Sequence, residues 1–306
     1  MAERGLPMIN ISSEHNIYSM SKENEPAGYC KSGDIIIIDT LDCFSNKLLP
    51  KDAKLGVDNP SLGNPATGPI YVKGAMPGDT LKVEIIDILV GELGVNIAGP
   101  TSSCLQGRIS ELEVRRIPIV NGMAKILNNL SMPVKPMIGV IGVAPADDSV
   151  PTVIPGEHGG NMDCSQIKKG AILYLPVFTE GALLAIGDLH ALMGDGETSE
   201  YGLEIEGTVI IRISVLPRTF RTAPAVCIDK KWITIASCET LDKAAEEANN
   251  MMLDFLIDEV GIDANDASVI LGLCGNLVVC QLCNPYKTVR MELALDCIAY
   301  TGYVPA

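Results

Sequence analysis

Hydrophobic and polar positions follow one another in short runs over the first two thirds of the chain. Runs of Ile, Val, Leu and Thr are separated by Gly, Pro, Asn and Asp, a pattern typical of β-sandwiches and barrels. We therefore predict a β-rich body over residues 1–216. Its clearest strands are predicted at Ile35 to Ile38, Leu81 to Ile88, Met137 to Val143, Ala171 to Val177 and Thr208 to Val215.

The pattern changes after Pro217. Between Thr240 and Val260 the apolar residues recur near the helical period, which predicts a helix. A second helix is predicted from about Asp266 toward Leu273, followed by a strand that begins at Leu277 and ends at Asn284-Pro285. Residues 217–306 should thus form a small α/β element that returns to the β body, and the predicted fold class is mainly β.

One feature of the β body repeats. Gly33-Asp34 and Gly78-Asp79 each precede a predicted strand, and acids follow at the same offsets in both. The echo indicates either a duplicated β-unit or two ordinary turns that lead into strands.

The hydrophobic content and net charge of the chain indicate which partners it can bind. The chain is 47% hydrophobic with a mean hydropathy of +0.25, yet it contains no apolar run long enough to span a membrane. The surplus apolar surface favours a homo-oligomer, a dimer or a tetramer. The net charge of −15 argues against nucleic acid and membrane surfaces and suits a neutral or cationic substrate or a metal cation.

The ten cysteines are scattered and do not form a disulfide framework. The N-terminal segment does not show the basic and apolar stretches of a secretion signal. Together these features predict a cytoplasmic protein with free thiols. Cys280 and Cys283 form a CxxC without a partner pair, and buried thiols are the default interpretation.

Two of the three histidines lie in the most polar and glycine-rich part of the chain. His158 belongs to a segment that runs to Asp163, and His190 to one that runs from Gly187 to Glu197. The strand predicted at Ala171 to Val177, with a return strand at Ala182 to Ile186, lies between them. If these strands pair antiparallel, both polar segments meet at one rim.

The second segment has the spacing of a metal site. Period-2 alternation places Asp188 and His190 on one face of an extended chain, where a carboxylate and an imidazole bind zinc well. Asp195 and Glu197 again share one side, so that one could ligate a metal and the other act as a base. Asp and Gly are also what turns prefer, and a loop without chemistry is the competing interpretation.

Several motifs, in order, resemble the acetamidase/formamidase family. They are Asn64 to Val72 with the following Pro77-Gly78-Asp79, Gly139 to Pro145, Gly159 to Asp163, Gly187 to Glu197, and Asn284-Pro285. The resemblance implies hydrolysis of short-chain amides such as formamide and acetamide, with a divalent metal and a β-rich fold.

Carried over by position, the resemblance implies a set of site residues. Asp163, Asp188, His190, Asp195 and Glu197 fall on the family's polar motif positions, and His158 and Asp42 also match. We hypothesise that Asp163, Asp188 and His190 are metal ligands, with Asp42 or His158 completing the shell. Glu197 is the expected base and Asp195 the alternative. Substrate contacts are expected from Gly159, Gly160 and Asn161, since glycine amides approach an oxyanion closely.

Three other interpretations stay open at this point. A cupin-like metal enzyme would typically use two or three metal-binding histidines and a carboxylate, and a total of three histidines counts against it. A non-catalytic protein could use the acidic loops for structural calcium. Cys164, next to Asp163, could act as a nucleophile. Zinc is the expected metal and calcium the alternative.

Overall fold

The structure is a computed structural model that describes residues 9–57, 63–100, 103–105, 107–217 and 223–305. Most of its regular structure is β. The strands are β1 (Ile9–Ile11), β2 (Asn16–Ile17), β3 (Ser19–Met20), β4 (Gly28–Lys31), β5 (Ile35–Thr40), β6 (Ala66–Lys73), β7 (Thr80–Val90), β8 (Leu93–Ala98), β9 (Glu113–Val120), β10 (Met123–Leu127), β11 (Leu130–Pro133), β12 (Met137–Gly142), β13 (Val150–Pro151), β14 (Gly159–Asn161), β15 (Ile172–Pro176), β16 (Leu184–His190), β17 (Glu204–Ile205), β18 (Gly207–Leu216), β19 (Ala225–Ile228), β20 (Lys231–Cys238), β21 (Asn276–Gln281) and β22 (Lys287–Ala294). The helices are α1 (Leu241–Asp254), continued by a π-helical turn (Phe255–Glu259), α2 (Ala264–Cys274), and 3₁₀ turns at Ser103–Leu105 and Leu295–Thr301.

Two large sheets form the body. The nine-stranded sheet has the order β1-β5-β18-β7-β15-β19-β20-β22-β21. The eleven-stranded sheet follows the path β11-β10-β9-β8-β17-β16-β12-β14, and β6 joins β2 and β4 to β16. A short third sheet pairs β3 with β13.

The main core lies between these sheets. Alternate residues of β5, β7 and β18 point inward, as the burial of Ile36, Val83 and Val209 shows, and they meet Ile138 of β12 and Ile186 of β16. Branched aliphatic side chains at every second position fit the pleated faces of two stacked sheets. The predicted fold class, a sandwich-like β body with a small C-terminal α/β element, is confirmed.

The C-terminal part extends the nine-stranded sheet and covers one of its faces with α1. Thr240 caps α1 by accepting a hydrogen bond from the Lys243 amide, as its residue type favours. The buried stripe of α1 includes Ala248 and Met252, and Trp232 of β20 stacks on Phe255 with ring centroids 4.6 Å apart. Strands on both sides of residue 217 therefore share one sheet. The division at that residue stays a prediction.

The pairing predicted between the strands that link the two polar segments is wrong. β15 pairs with β7 and β19 in one sheet, whereas β16 pairs with β12, β6 and β17 in the other. The turn at residues 177–183 carries the chain across the sandwich instead of closing a hairpin. A local hydrophobic pattern does not distinguish these two connections.

The echoed Gly-Asp segments lead into β5 and β7, which flank β18 on opposite sides. The duplication itself stays a prediction. Among the described residues, helices of the length and apolarity that a membrane crossing requires do not occur. Residues 1–8, from which the absence of a secretion signal was argued, lie outside the described part.

Candidate active site

β12 brings the two polar segments together. On one side it pairs with β14, so that Val140 faces Asn161; on the other it pairs with β16, so that Met137 faces His190. The Asp163 amide then donates to Gly139 O at 3.3 Å. As a result His190 Nε2 lies 3.9 Å from Asp163 Oδ1. The predicted convergence of the two segments therefore holds, but inside the protein and not at an exposed rim.

Three carboxylates face one imidazole nitrogen. His190 Nε2 lies 3.2 Å from Glu204 Oε2 and 3.5 Å from Asp188 Oδ1, in addition to Asp163. All four side chains are almost completely buried, with His190 1% exposed. Two donors bound to a tetrahedral zinc at ordinary bond lengths lie about 3.4 Å apart. The spacing in this group is thus close to that of ligands around an ion.

The polar atoms of the group are incompletely hydrogen-bonded. Within the described residues, Glu204 Oε2 is buried and accepts no hydrogen bond of good geometry, although His190 Nε2 lies 3.2 Å away, and Asn64 Oδ1 is buried without a donor. A buried carboxylate oxygen left in this state is costly. A cation beside it would remove that cost, and so the residues present fit a divalent metal.

Burial and mutual repulsion set the protonation of the acids. Burial raises the pKa of Asp163 well above its usual range, and the charges of Glu197 and Asp188 add to the effect. Burial raises the pKa of Glu204 to about 8, although the neighbouring His190 opposes this. For Asp188, burial is outweighed by the charge of His190 and by hydrogen bonds, so its pKa is lowered. The pKa of His190 is raised because Glu204 and Asp188 outweigh its burial.

Three amide side chains orient the carboxylates. Asn64 Nδ2 donates to Asp188 Oδ2 at 3.0 Å, and Asn284 Nδ2 donates to Asp163 Oδ2 at 2.7 Å. With its nitrogen turned toward the acids, Asn161 donates to Asp188 Oδ2 at 2.9 Å and accepts from Asn284. These hydrogen bonds hold the carboxylates in position, as hydrogen bonds to the ligating side chains do in metal sites.

Two glycines leave room for the charged groups. A Cβ at Gly139 would lie 2.6 Å from both Asp163 Oδ1 and Asp188 Oδ2. A Cβ at Gly202 would lie 2.6 Å from His190 Nδ1. Gly139 belongs to the segment of residues 139–145 that the sequence singles out, and its small size is what allows two carboxylates to approach β12.

The backbone of the site is strained. Asp163, Asp188, Glu197 and Asn64 have φ values of 45°, 56°, 42° and 48°, in the left-handed region that side chains with a Cβ rarely adopt. Such conformations persist where the surroundings hold them, and they concentrate at functional sites. Their concentration here supports a functional role for this group.

Glu197 faces the same group from a separate loop. Its carboxylate, Asp163 and His190 place one potential ligand atom each within 4.8 Å of one another. The thiol of Cys283 donates to Glu197 Oε2 at 3.0 Å. Burial raises the pKa of Glu197, and the positive charge of His190 moderates the rise.

These side chains border a small cavity of about 140 Å³. Its wall consists of Cys43, Phe44, Asn64, Val153, Asn161, Asp163, Asp188, His190, Glu197, Glu200, Tyr201, Glu204 and Asn284. A larger groove of about 740 Å³ runs beside α1, but its wall includes neither an imidazole nor any residue of the acidic group. The chemistry therefore belongs to the small cavity.

Some of the expected site residues lie elsewhere. Asp195 pairs both carboxylate oxygens with Arg290 at 2.8 Å. Asp42 Oδ1 accepts hydrogen bonds from the amides of Phe44 and Asn46 in a turn, and burial raises its pKa to about 6. Neither residue borders the cavity.

The cavity wall also does not include His158, Gly159 or Gly160. Burial lowers the pKa of His158 to about 4. The Gly159 amide donates to Gly156 O at 3.0 Å. A Cβ at Gly159 would collide with Ile141 O, and one at Gly160 with Ile154 O. Close backbone packing explains why both positions are glycine. Their assigned roles in metal and substrate binding stay predictions.

Cys164 does not face the cavity either. It is buried, and it hydrogen-bonds with Cys280, which together with Arg290 lowers its pKa. The CxxC is divided, since Cys280 contacts Arg290 at 3.7 Å and Cys283 contacts Glu197.

The sequence interpretation missed four residues of the site. Glu204 reaches the group because β17 places it opposite His190, and Cys43 forms a second group of potential ligands with Asp188 and Glu204. Nothing local marks these two. Asn64 and Asn284 were visible as members of family motifs, and an amide at a motif position was the available signal.

Fold and site together define a two-sheet β protein with a buried acid–imidazole centre suited to a divalent cation. The sequence profile of the acetamidase/formamidase family matches residues 12–151 and 145–226. The chain belongs to this family, as the resemblance implied.

Solved structures agree over nearly the whole chain. An acetamidase from Bacillus halodurans has a TM-score of 0.94 at 42% identity and covers 96% of this chain and 100% of that chain. A predicted acetamidase/formamidase from Thermoanaerobacter tengcongensis has a TM-score of 0.92 at 41% identity and covers 96% and 98%. The acetamidase of Mycolicibacterium smegmatis is 40% identical over 72 residues. That match spans 23% of this chain and 18% of the relative, less than a fifth of the relative's length.

Proposed function

We propose that this protein hydrolyses short-chain carboxamides of the formamide and acetamide type to a carboxylate and ammonia. The observation that carries the proposal is the position of Glu197. Its carboxylate faces the same 140 Å³ cavity as Asp163, Asp188 and His190. Family membership and the names of the structural relatives support the same reaction.

The residues that would hold a divalent cation are Asp163, Asp188, His190 and Glu204. An imidazole among carboxylates favours zinc, while calcium prefers oxygen donors alone. When bound, the cation would polarise a carbonyl oxygen and acidify a water molecule.

Glu197 is the proposed general base. An amide carbonyl resists attack by neutral water, so a proton must leave the water as its oxygen bonds to the carbonyl carbon. The Glu197 carboxylate takes that proton and then gives it to the leaving nitrogen as the C–N bond breaks. The raised pKa of Glu197 suits both steps, because it brings the carboxyl closer to the operating pH.

The cavity supports a small substrate. A volume of about 140 Å³ corresponds to roughly five water molecules at their volume in the liquid. Formamide or acetamide fits in this space beside a water molecule. Pockets for larger ligands start at about 300 Å³.

The test is ammonia release from formamide and acetamide, with and without a chelator. We expect activity in the untreated protein, its loss after chelation and its recovery with zinc. Glu197→Gln should lower kcat by about 10²–10⁴-fold at unchanged metal content. Glu157→Gln, which changes an exposed acid in the neighbouring polar segment, is the matched control.

Full activity in Glu197→Gln would remove the base assignment, and loss of the metal in that variant would make Glu197 a ligand instead. Bound calcium together with no ammonia release would favour the structural-calcium alternative.

We also propose a homo-oligomer in a reducing cytoplasm. Val269 and Leu273 of α2 and Leu277 of β21 are exposed next to one another along the chain, and a second copy would cover such apolar surface. All ten cysteines are free thiols, in keeping with that compartment. Sedimentation of the wild type and of Leu273→Asp tests the assembly, which the substitution should weaken.

A further inference from the structure

The loop that carries Glu197 is attached to the C-terminal hairpin. The Gly196 amide donates to Cys280 O at 2.9 Å, and the Leu282 amide donates to Gly196 O at 3.1 Å. Gly196 and Gln281 thereby form a short parallel bridge. The residue just before Glu197 is therefore held by β21, a strand more than 80 residues further along the chain.

Arg290 of β22 strengthens this attachment. Its guanidinium is almost fully buried and binds Asp195 with Nη1 on Oδ1 and Nη2 on Oδ2, both at 2.8 Å. Its Nε donates to Glu292 Oε1 at 2.7 Å. A bidentate pair of this kind fixes orientation as well as distance.

The same ion pair reaches the other polar segment. Ser165 Oγ donates to Asp195 Oδ1 at 2.6 Å. Ser165 lies two residues after Asp163, and Asp195 lies two residues before Glu197. One carboxylate thus connects the segment of a proposed ligand, the segment of the proposed base and the C-terminal hairpin.

Glu197 depends on such support. Glu197 has a φ of 42°, and a strained backbone persists only where its surroundings determine it. The thiol that binds the Glu197 carboxylate is a weak donor. The direction of this side chain is therefore set by the backbone before it together with its contact to Asp163.

We infer that Arg290 and Asp195 act as positioning residues, whose ion pair holds the Glu197 loop so that the carboxylate faces the cavity. The inference rests on the proposed function, in which Glu197 acts as the base. Asp195 thereby receives a role that differs from the alternative base expected from its place in the motif.

Steady-state kinetics with formamide test this inference. Misplacing a catalytic group by about 1 Å costs roughly 10²-fold in rate. We expect Asp195→Asn and Arg290→Met to lower kcat by about this factor, with KM within about twofold of the wild type and metal content unchanged. Arg290→Lys keeps the positive charge but cannot make the two parallel hydrogen bonds of the guanidinium. It should therefore retain more of the wild-type rate than Arg290→Met. Because a loss of folded protein would also lower the apparent kcat at unchanged KM, kcat is expressed per folded molecule, with the folded fraction taken from circular dichroism.

Lys231→Met is the matched control. Lys231 binds Glu292 at 2.7 Å, the other acid of the same network, and it contacts neither the loop nor the cavity. The kcat of the Lys231→Met variant should equal that of the wild type. Since Asp195 is 40% exposed in its ion pair, Asp195→Asn should fold even if Arg290→Met does not.

The outcomes are distinguishable. A wild type that releases ammonia from neither formamide nor acetamide overturns the proposed function, and this inference with it. An active wild type whose folded Asp195→Asn variant keeps full kcat, or changes in KM alone, overturns the positioning role and leaves the proposed function standing.

Discussion

At the residue scale, the acids around His190 set the protonation of its imidazole. His190 is buried among Asp163, Asp188 and Glu204. Burial lowers its pKa, but Glu204 and Asp188 outweigh burial and raise it, because they favour a positive charge beside them. A proton on His190 Nε2 or a metal cation bound between the acids would each offset their negative charge. This explains how three carboxylates and an imidazole can be buried together despite the repulsion between the acids.

Space at β12 is as important as charge. Gly139→Ala would push a Cβ to 2.6 Å from two carboxylate oxygens, so that at least one donor must move. We expect ammonia release to fall by 10-fold or more, roughly, since metal sites depend on donor geometry, together with a loss of bound metal. Gly272→Ala serves as the control because a Cβ there meets nothing within 4 Å. Unchanged metal content in Gly139→Ala would contradict this account.

His158 should make stability depend on pH. Its pKa falls from 6.5 to about 4 on folding because of burial, so the unfolded chain binds its proton first as the pH drops. The contribution to stability is complete above about pH 6.5 and is lost progressively down to about pH 4, up to about 3 kcal/mol.

Denaturant unfolding at pH 7 and at pH 5 measures this effect. His158→Gln should lose less free energy of unfolding between the two values than the wild type, by about 2 kcal/mol. Equal losses in both proteins would show that His158 does not change its protonation on unfolding.

At the element scale, β12 organises the site and α1 stabilises the sheet beyond it. All six residues of β12 are buried, and the strand lies between the two polar segments. α1 packs against β20 and β22, and its residues do not border the cavity. Stability and catalysis should therefore respond separately to changes in these two elements.

Thr240→Ala tests that separation. The substitution removes the side-chain cap of α1, which accepts from Lys243, and should cost about 1 kcal/mol of unfolding free energy. The kcat of the folded protein should not change. Thr240→Ser retains the hydroxyl and should retain most of the stability. A large fall in kcat for Thr240→Ala would mean that α1 and the site are coupled.

At the scale of the whole molecule, a bound cation should raise stability. The native fold holds the donors together and the unfolded chain does not, so a ligand present at about 100 times its Kd adds about 2.7 kcal/mol. We expect the Tm of metal-free protein to rise when zinc is added. Asp188→Asn, which removes one donor charge, should show a smaller rise. An unchanged Tm with zinc in the wild type would contradict the proposed cation site.

The sequence by itself determined the fold class, the family and the two segments that carry the chemistry. Period-2 runs, a capped helix and paired histidines among acids are local signals, and local structure depends on local sequence. The centre could be predicted for Asp163, Asp188, His190 and Glu197, because motif positions mark each of them.

Tertiary structure decided which acids share the centre. Glu204 joins it because it lies on β17 opposite His190 of β16, while Asp195 pairs with Arg290 and does not line the cavity. Both outcomes depend on pairing between strands distant in sequence, and the same local pattern is compatible with several such pairings. The physical reason is that periodicity fixes which face of a strand is buried, whereas the neighbour of that face is set by packing of the whole molecule.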